Sequence, residues 1–128
     1  MYTVVIDESG DVGLQNVQPD PSPGPTQYFC MCATIFNEDN RQKILAEIDP
    51  LRSKKGDIHA SQMSHFDKVN ACRILAQQPI GMIGVMSNKL SLLAYLSNAQ
   101  KTNTHYYNKV TQYLLERVGE AISTLSSA

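Results

Sequence analysis

The chain has no tryptophan, only three cysteines, and a net charge of −1 over 128 residues. Each shortage excludes something. A sparse, odd cysteine count without framework spacing argues against a disulfide-stapled secreted scaffold and suits a reducing cytoplasm. A near-neutral balance gives no global attraction to nucleic acid, so any phosphate-binding surface has to be local. No apolar run approaches the ~18 residues of a membrane span. The N-terminus opens on a strand pattern, not on a basic segment followed by a signal-peptide core. The expectation is a cytoplasmic protein with no membrane partner. With 42% apolar and 18% charged residues, the composition suits a single globular domain large enough for a real core.

What is present is concentrated near the start. The apolar run Thr3-Val4-Val5-Ile6 leads directly into Asp7, Glu8, Ser9, Gly10 and Asp11. A strand end holds carboxylates on a rigid support. Hard divalent cations take such oxygen ligands, usually one or two carboxylates with waters and substrate phosphates. An ordinary turn uses the same residue types, with Gly10 supplying a positive φ, and both readings stand at this point. Side chains alternate along a strand, so Asp7 and Glu8 diverge, while Asp7 shares a side with Ser9 and Asp11 unless Gly10 breaks the alternation. Asp7 is therefore the first candidate metal ligand, Asp11 the second and Glu8 the third, with Asp57 a weak fourth.

Residues 12–27 hold Pro19, Pro21, Pro23 and Pro25 together with Gly13 and Gly24. Alternating proline excludes helix and central strand, leaving an exposed, partly polyproline-like loop. A lid over the acids is one reading; a tolerated hairpin insertion is slightly favoured. Tyr28 to Phe36 is apolar on both faces, as for a strand covered on each side. Asn37 caps a helix whose stripe is Ile44, Leu45, Ile48 and Leu51, with Pro50 kinking or ending it. Ser64 and Asp67 form a capping box for a helix to about Gln78, with Phe66, Val69, Cys72, Leu75 and Ala76 as its core face. Ile80 to Ser87 reads as another apolar strand, and a short helix covers Leu90 to Leu96. A last helix from near Thr104 carries Tyr107, Val110, Leu114, Val118, Ala121, Ile122 and Leu125 as one stripe. This order predicts a single α/β domain, residues 1–128, with helices covering a mixed sheet. No later strand stands behind the last helix, so the fold reads as incomplete at the C-terminus. A homo-oligomer, or a partner chain covering the unfinished sheet, is expected to follow.

Four pieces now stand together: Ile6-Asp7-Glu8-Ser9-Gly10-Asp11, the strand Tyr28 to Phe36, Ile58-His59-Ala60-Ser61, and the helix from Tyr107-Asn108 to Leu115-Glu116-Arg117. Their order and spacing resemble the family catalogued as domain of unknown function 3800. That family is assigned to the ribonuclease H-like fold, and its members are regarded as metal-dependent nucleases, some in mobile-element or phage-defence settings. The resemblance implies that Asp7 is the first-strand carboxylate of a Mg²⁺ or Mn²⁺ site and that Glu8 and Asp11 are neighbouring motif acids. It also implies that His59 is a polar residue brought alongside, and that RNA or DNA is the substrate. Family members continue with a further strand and helix bearing an acid, a part this chain does not contain. A catalytically inactive or split copy acting as a protein–protein interaction module is the competing expectation.

Other residues have ordinary readings beside the functional one. His59 could ligate metal or move a proton, since its unperturbed pKa lies near ~6.5, or simply hydrogen-bond to backbone at an extended segment. Cys30 and Cys32 face one side of a strand, and buried packing is preferred over a soft-metal site because nothing completes a tetrahedron. Arg41, Lys43, Arg52, Lys54 and Lys55 could contact phosphate, although basic residues at a helix C-terminus need no further explanation.

Overall fold

The computed structural model describes residues 1–17, 25–52, 58–98 and 102–127. Pro19, Pro21, Pro23, Gly24, Lys54, Lys55 and Asp57 lie outside the described residues. The elements run β1 (Tyr2–Ser9), β2 (Tyr28–Asn37), α1 (Arg41–Ile48), α2 (His65–Ala76), β3 (Ile80–Asn88), α3 (Lys89–Asn98) and α4 (Asn103–Ser127). The α/β class expected from the sequence is observed. The sheet differs from expectation: its three strands pair in the order β1-β2-β3 and are antiparallel throughout, not mixed. Two helical segments between β2 and β3 carry the chain away and back. It therefore re-enters the sheet reversed, whereas a parallel pair needs a crossover. β1 and β3 are the edge strands. Contacts divide the chain into two compact units, Met1–Val4 with Ile35–Gly81 and Val5–Thr34 with Met82–Ala128.

In the first unit, the start of β1 is fastened to the turn after β2. The Glu38 amide donates to the Met1 carbonyl at 2.9 Å. The Thr3 hydroxyl donates to the Glu38 carboxylate, which also pairs with Arg41 at 2.9 Å. Asn37 caps the 3₁₀ turn that leads into the expected helix, and not the helix itself, its side chain accepting from the Asp39 amide at 3.1 Å. A short 3₁₀ turn, Glu38–Asn40, intervenes before α1, which buries Ile44. Ser64 caps α2 by accepting from the Asp67 amide at 3.2 Å.

The covered face of α2 is only partly the expected one. Val69 and Leu75 are half-buried as expected, but Phe66 is 76% exposed, and Cys72 and Ala76 are exposed as well. Ala71, Ile74 and Gln78 are half-buried in their place. With Leu75 they step by three and four residues on the side of the helical wheel away from Phe66. The largest side chain drew the sequence reading too far round the helix, because burial follows the stripe and not the size of one residue.

In the second unit, Phe29, Met31 and Ala33 are buried on one face of β2, while Cys30 and Cys32 on the other are only half-buried. The strand is thus packed mainly on one side, not on both as its composition suggested. Tyr106, Val110, Leu114 and Val118 of α4 are buried, a row of residues four apart. The Phe29 ring lies 5.8 Å from that of Tyr106 and 6.0 Å from that of Tyr107, and the Thr111 hydroxyl lies 3.7 Å from the Met31 sulfur. The stripe therefore begins at Tyr106; Tyr107 sits half-buried beside it and Leu125 is exposed. Met82 and Met86, part of the apolar run of β3, are exposed. Among the described residues no helix is long and apolar enough to cross a membrane.

Candidate functional site

β1 delivers Asp7 and Glu8 near its C-terminal end, both exposed. Neither side chain forms a hydrogen bond or ion pair among the described residues. Strand alternation turns them to opposite faces. The chain then turns at Gly10, whose φ is +90°. A Cβ there would run into the Tyr28 carbonyl oxygen and stand 3.0 Å from the Thr26 hydroxyl, so only glycine fits the turn.

Asp11 follows, and its surroundings are different. Its Oδ2 accepts from the Thr26 amide at 2.7 Å and the Thr26 hydroxyl at 3.0 Å. Its Oδ1 accepts from the Gly13 amide at 2.8 Å and from Lys89 Nζ at 3.2 Å. A carboxylate offers about four lone-pair sites, and four donors occupy them. Burial works against the charge. The Thr26 and Gly13 amides, the Thr26 hydroxyl and Lys89 outweigh it and hold the carboxyl at about 2.

The Lys89 ammonium also donates to the Asp11 carbonyl at 2.9 Å and the Gly13 carbonyl at 3.0 Å. Its side chain is 0% exposed. An unpaired ammonium in such a position would cost several kcal/mol, roughly, and the three oxygens offset that cost. Lys89 reaches this place because it is the first residue of α3. Asn88 before it accepts from the Leu90 amide at 3.2 Å, and the Lys89 amide donates to the Gln27 carbonyl at 2.9 Å. Asp11 and Lys89 together clamp the loop that leaves β1. A cation approaching Asp11 in this arrangement has to displace Lys89 or the loop amides.

His59 belongs to the first compact unit, whereas Asp7, Glu8 and Asp11 belong to the second. It caps a 3₁₀ turn, Ala60–Gln62, its Nδ1 accepting from the Ser61 amide at 3.3 Å and lying 2.7 Å from the Ser61 hydroxyl. The neutral tautomer that allows this carries its proton on Nε2. Arg41 and Arg52 are engaged with Glu38 and Asp49, at 2.9 and 2.5 Å, on their own turns. Among the described residues no group of three or more His, Cys, Asp or Glu side chains is placed to hold a metal ion.

Sequence reasoning found the acids and missed the lysine. Nothing local marks Lys89 as buried, because its partners lie 76 and 78 positions away. No protein-family model matches this chain, and no curated protein or solved structure matches it.

Proposed function

We propose that this chain forms part of a ribonuclease H-like nuclease that uses Mg²⁺ or Mn²⁺, with Asp7 as its principal ligand and RNA or DNA as its substrate. The observation that carries this reading is the state of Asp7, an exposed carboxylate on an edge strand, free of partners among the described residues. Glu8 beside it is equally free. Asp7 fits a single ion held by one carboxylate, with waters and substrate phosphate completing the shell, and Glu8 on the opposite face does not share it. A two-metal arrangement needs more ligands than they offer, and Asp11 serves by fixing the loop that begins two residues after Ser9 ends β1. The chemistry such an ion supplies is a water nucleophilic near neutral pH and charge neutralisation at phosphorus. The protein's own contribution is Asp7 near the end of a strand, followed by the glycine turn at Gly10. His59 stays outside this reading.

The test is cleavage of single-stranded and duplex oligonucleotides with Mg²⁺, Mn²⁺ or EDTA. Metal-stimulated cleavage that Asp7→Asn abolishes supports the proposal; cleavage indifferent to metal and to that substitution sinks it.

A second reading, the interaction module, draws on exposed apolar side chains along both edge strands, Val5 and Ile6 on β1 and Met82 and Met86 on β3. Unpaired edges of this kind accept another strand. The occupant this reading names is a second copy of the chain. A dimer by light scattering at micromolar concentration, unchanged by Asp7→Asn and lost when Met82 and Met86 become Lys, supports it. A monomer under those conditions contradicts it.

A further inference from the structure

The cysteines of β2 have no part in the reading of the acids. Phe29, Met31 and Ala33 are buried on the face of β2 that packs on α4, so Cys30 and Cys32 point to the opposite face, as half-buried free thiols. Residues two apart on a strand have Cα atoms roughly 6.8 Å apart, at the outer limit of disulfide geometry, so the pair does not close on itself. Among the described residues the Cys32 thiol makes one long contact, 3.9 Å to the Ala33 carbonyl, and the Cys30 thiol makes no hydrogen bond.

The register of β3 brings two more sulfurs to the same face. Its pairing with β2 is fixed at both ends. The Lys89 amide donates to the Gln27 carbonyl at 2.9 Å, and at the other end a Cβ on Gly81 would stand 4.0 Å from that of Ile35. Residues directly opposite in an antiparallel pair share a face. Counting inward from either end sets Met86 opposite Cys30, Gly84 opposite Cys32 and Met82 opposite Thr34. Met82 and Met86 are 61% and 71% exposed, and a Cβ on Gly84 would meet nothing within 4 Å. The glycine leaves open space beside Cys32, with a thioether on each side of it along β3. One exposed methionine needs no explanation. Two that flank a gap beside two thiols make a patch of four sulfurs, all within the second unit.

From this arrangement we infer that the open sheet face binds one Cu⁺ ion, held by the sulfurs of Cys30, Cys32 and Met86. Thiolate and thioether donors suit this soft ion, and it accepts two or three of them. A structural Zn²⁺ site asks for four donors in a tetrahedron, and among the described residues no group of three His, Cys, Asp or Glu is placed to hold a metal. Met86 lies directly across from Cys30 and diagonally from Cys32, and a long side chain spans both distances. Each thiol releases its proton to solvent as its bond to the metal forms. The site rests on neither reading of the protein's function.

The test is an anaerobic competition in which the protein takes Cu⁺ from its coloured bicinchoninate complex. The wild type is expected to remove one equivalent. Cys30→Ser and Cys32→Ser should each weaken uptake about a hundredfold and Met86→Leu about tenfold, while Cys72→Ser, on exposed α2, leaves it unchanged. X-ray absorption of the bound ion should show sulfur neighbours alone, one fewer in Met86→Leu. Serine and leucine keep the approximate size of the residues they replace, and matching circular dichroism verifies that each variant folds. No uptake by the wild type overturns the inference. So does uptake that Met86→Leu leaves unchanged, or that Cys72→Ser lowers as much as Cys30→Ser, the mark of binding by any accessible thiol.

Discussion

Replacing Lys89 with methionine removes one charge and keeps nearly the whole side-chain length. Three oxygens then lose a donor: the carbonyls of Asp11 and Gly13, and Oδ1 of Asp11, which keeps the Gly13 amide. Breaking a buried ion pair by removing one partner costs about 3–5 kcal/mol when the survivor is stranded. Here the survivor is not stranded, because the Asp11 side chain is 43% exposed and water can reach it. The two carbonyls are part-buried, and an unsatisfied polar group costs about 1–3 kcal/mol. The ammonium's own desolvation cost disappears with it. The net loss is therefore set at about 2 kcal/mol.

The reverse substitution is asymmetric. Asp11→Ala leaves the fully buried ammonium with two carbonyls and no counter-charge, and also frees the Thr26 and Gly13 amides. It should cost more than Lys89→Met, roughly 3 kcal/mol or above. Urea unfolding followed by far-ultraviolet circular dichroism measures both, and the double variant gives their coupling. For groups in direct contact that coupling is expected at about 1–3 kcal/mol. A Lys89→Met midpoint equal to that of the wild type, or a coupling near zero, would refute the clamp.

Three further outcomes follow from the same geometry. The Asp11 carboxyl is held at about 2 against an ordinary 3.8, so its contribution to stability is complete above pH 3.8 and is lost as pH falls through 2. With the side chain 43% exposed, solvent screening reduces that contribution to about 1 kcal/mol, and Asp11→Asn should flatten the acid limb of an unfolding-versus-pH series. Gly10→Ala places a Cβ against the Tyr28 carbonyl at a φ of +90° and should cost about 2 kcal/mol or more by urea unfolding, against little for an alanine at exposed Gly119. Tyr106→Phe deletes a buried hydroxyl that makes no hydrogen bond, so the protein should be unchanged or more stable by up to about 1 kcal/mol in thermal melts.

The parts of this fold that were legible in the sequence are those whose cause is local. Asn37 and Ser64 announce their caps because a side-chain oxygen and an amide two or three residues on suffice. β3 and α4 follow from apolar runs and spacing. What was not legible depends on pairing across the chain. The sheet's antiparallel order rests on how the helices between β2 and β3 return the chain. The exposure of Phe66 rests on which of two competing stripes on α2 found a surface to cover. In the site, a DESGD-like run is visible to any reader, but its last acid cannot be recognised as a clamp without Lys89 and Thr26. The one-residue shift from Tyr107 to Tyr106 is of the same kind. Both tyrosines fit an apolar face by spacing, and packing against Phe29 chose the row that continues through Val110, Leu114 and Val118.

The central claim is that Asp7 grips a divalent cation, and Mn²⁺ reports directly on where it binds. With isotope-labelled protein and a short uncleavable oligonucleotide, sub-stoichiometric Mn²⁺ should first broaden the amide signals of Asp7 and Glu8. Asp7→Asn should restore them. Broadening that spreads evenly over the surface, or that Asp7→Asn leaves in place, would contradict the account.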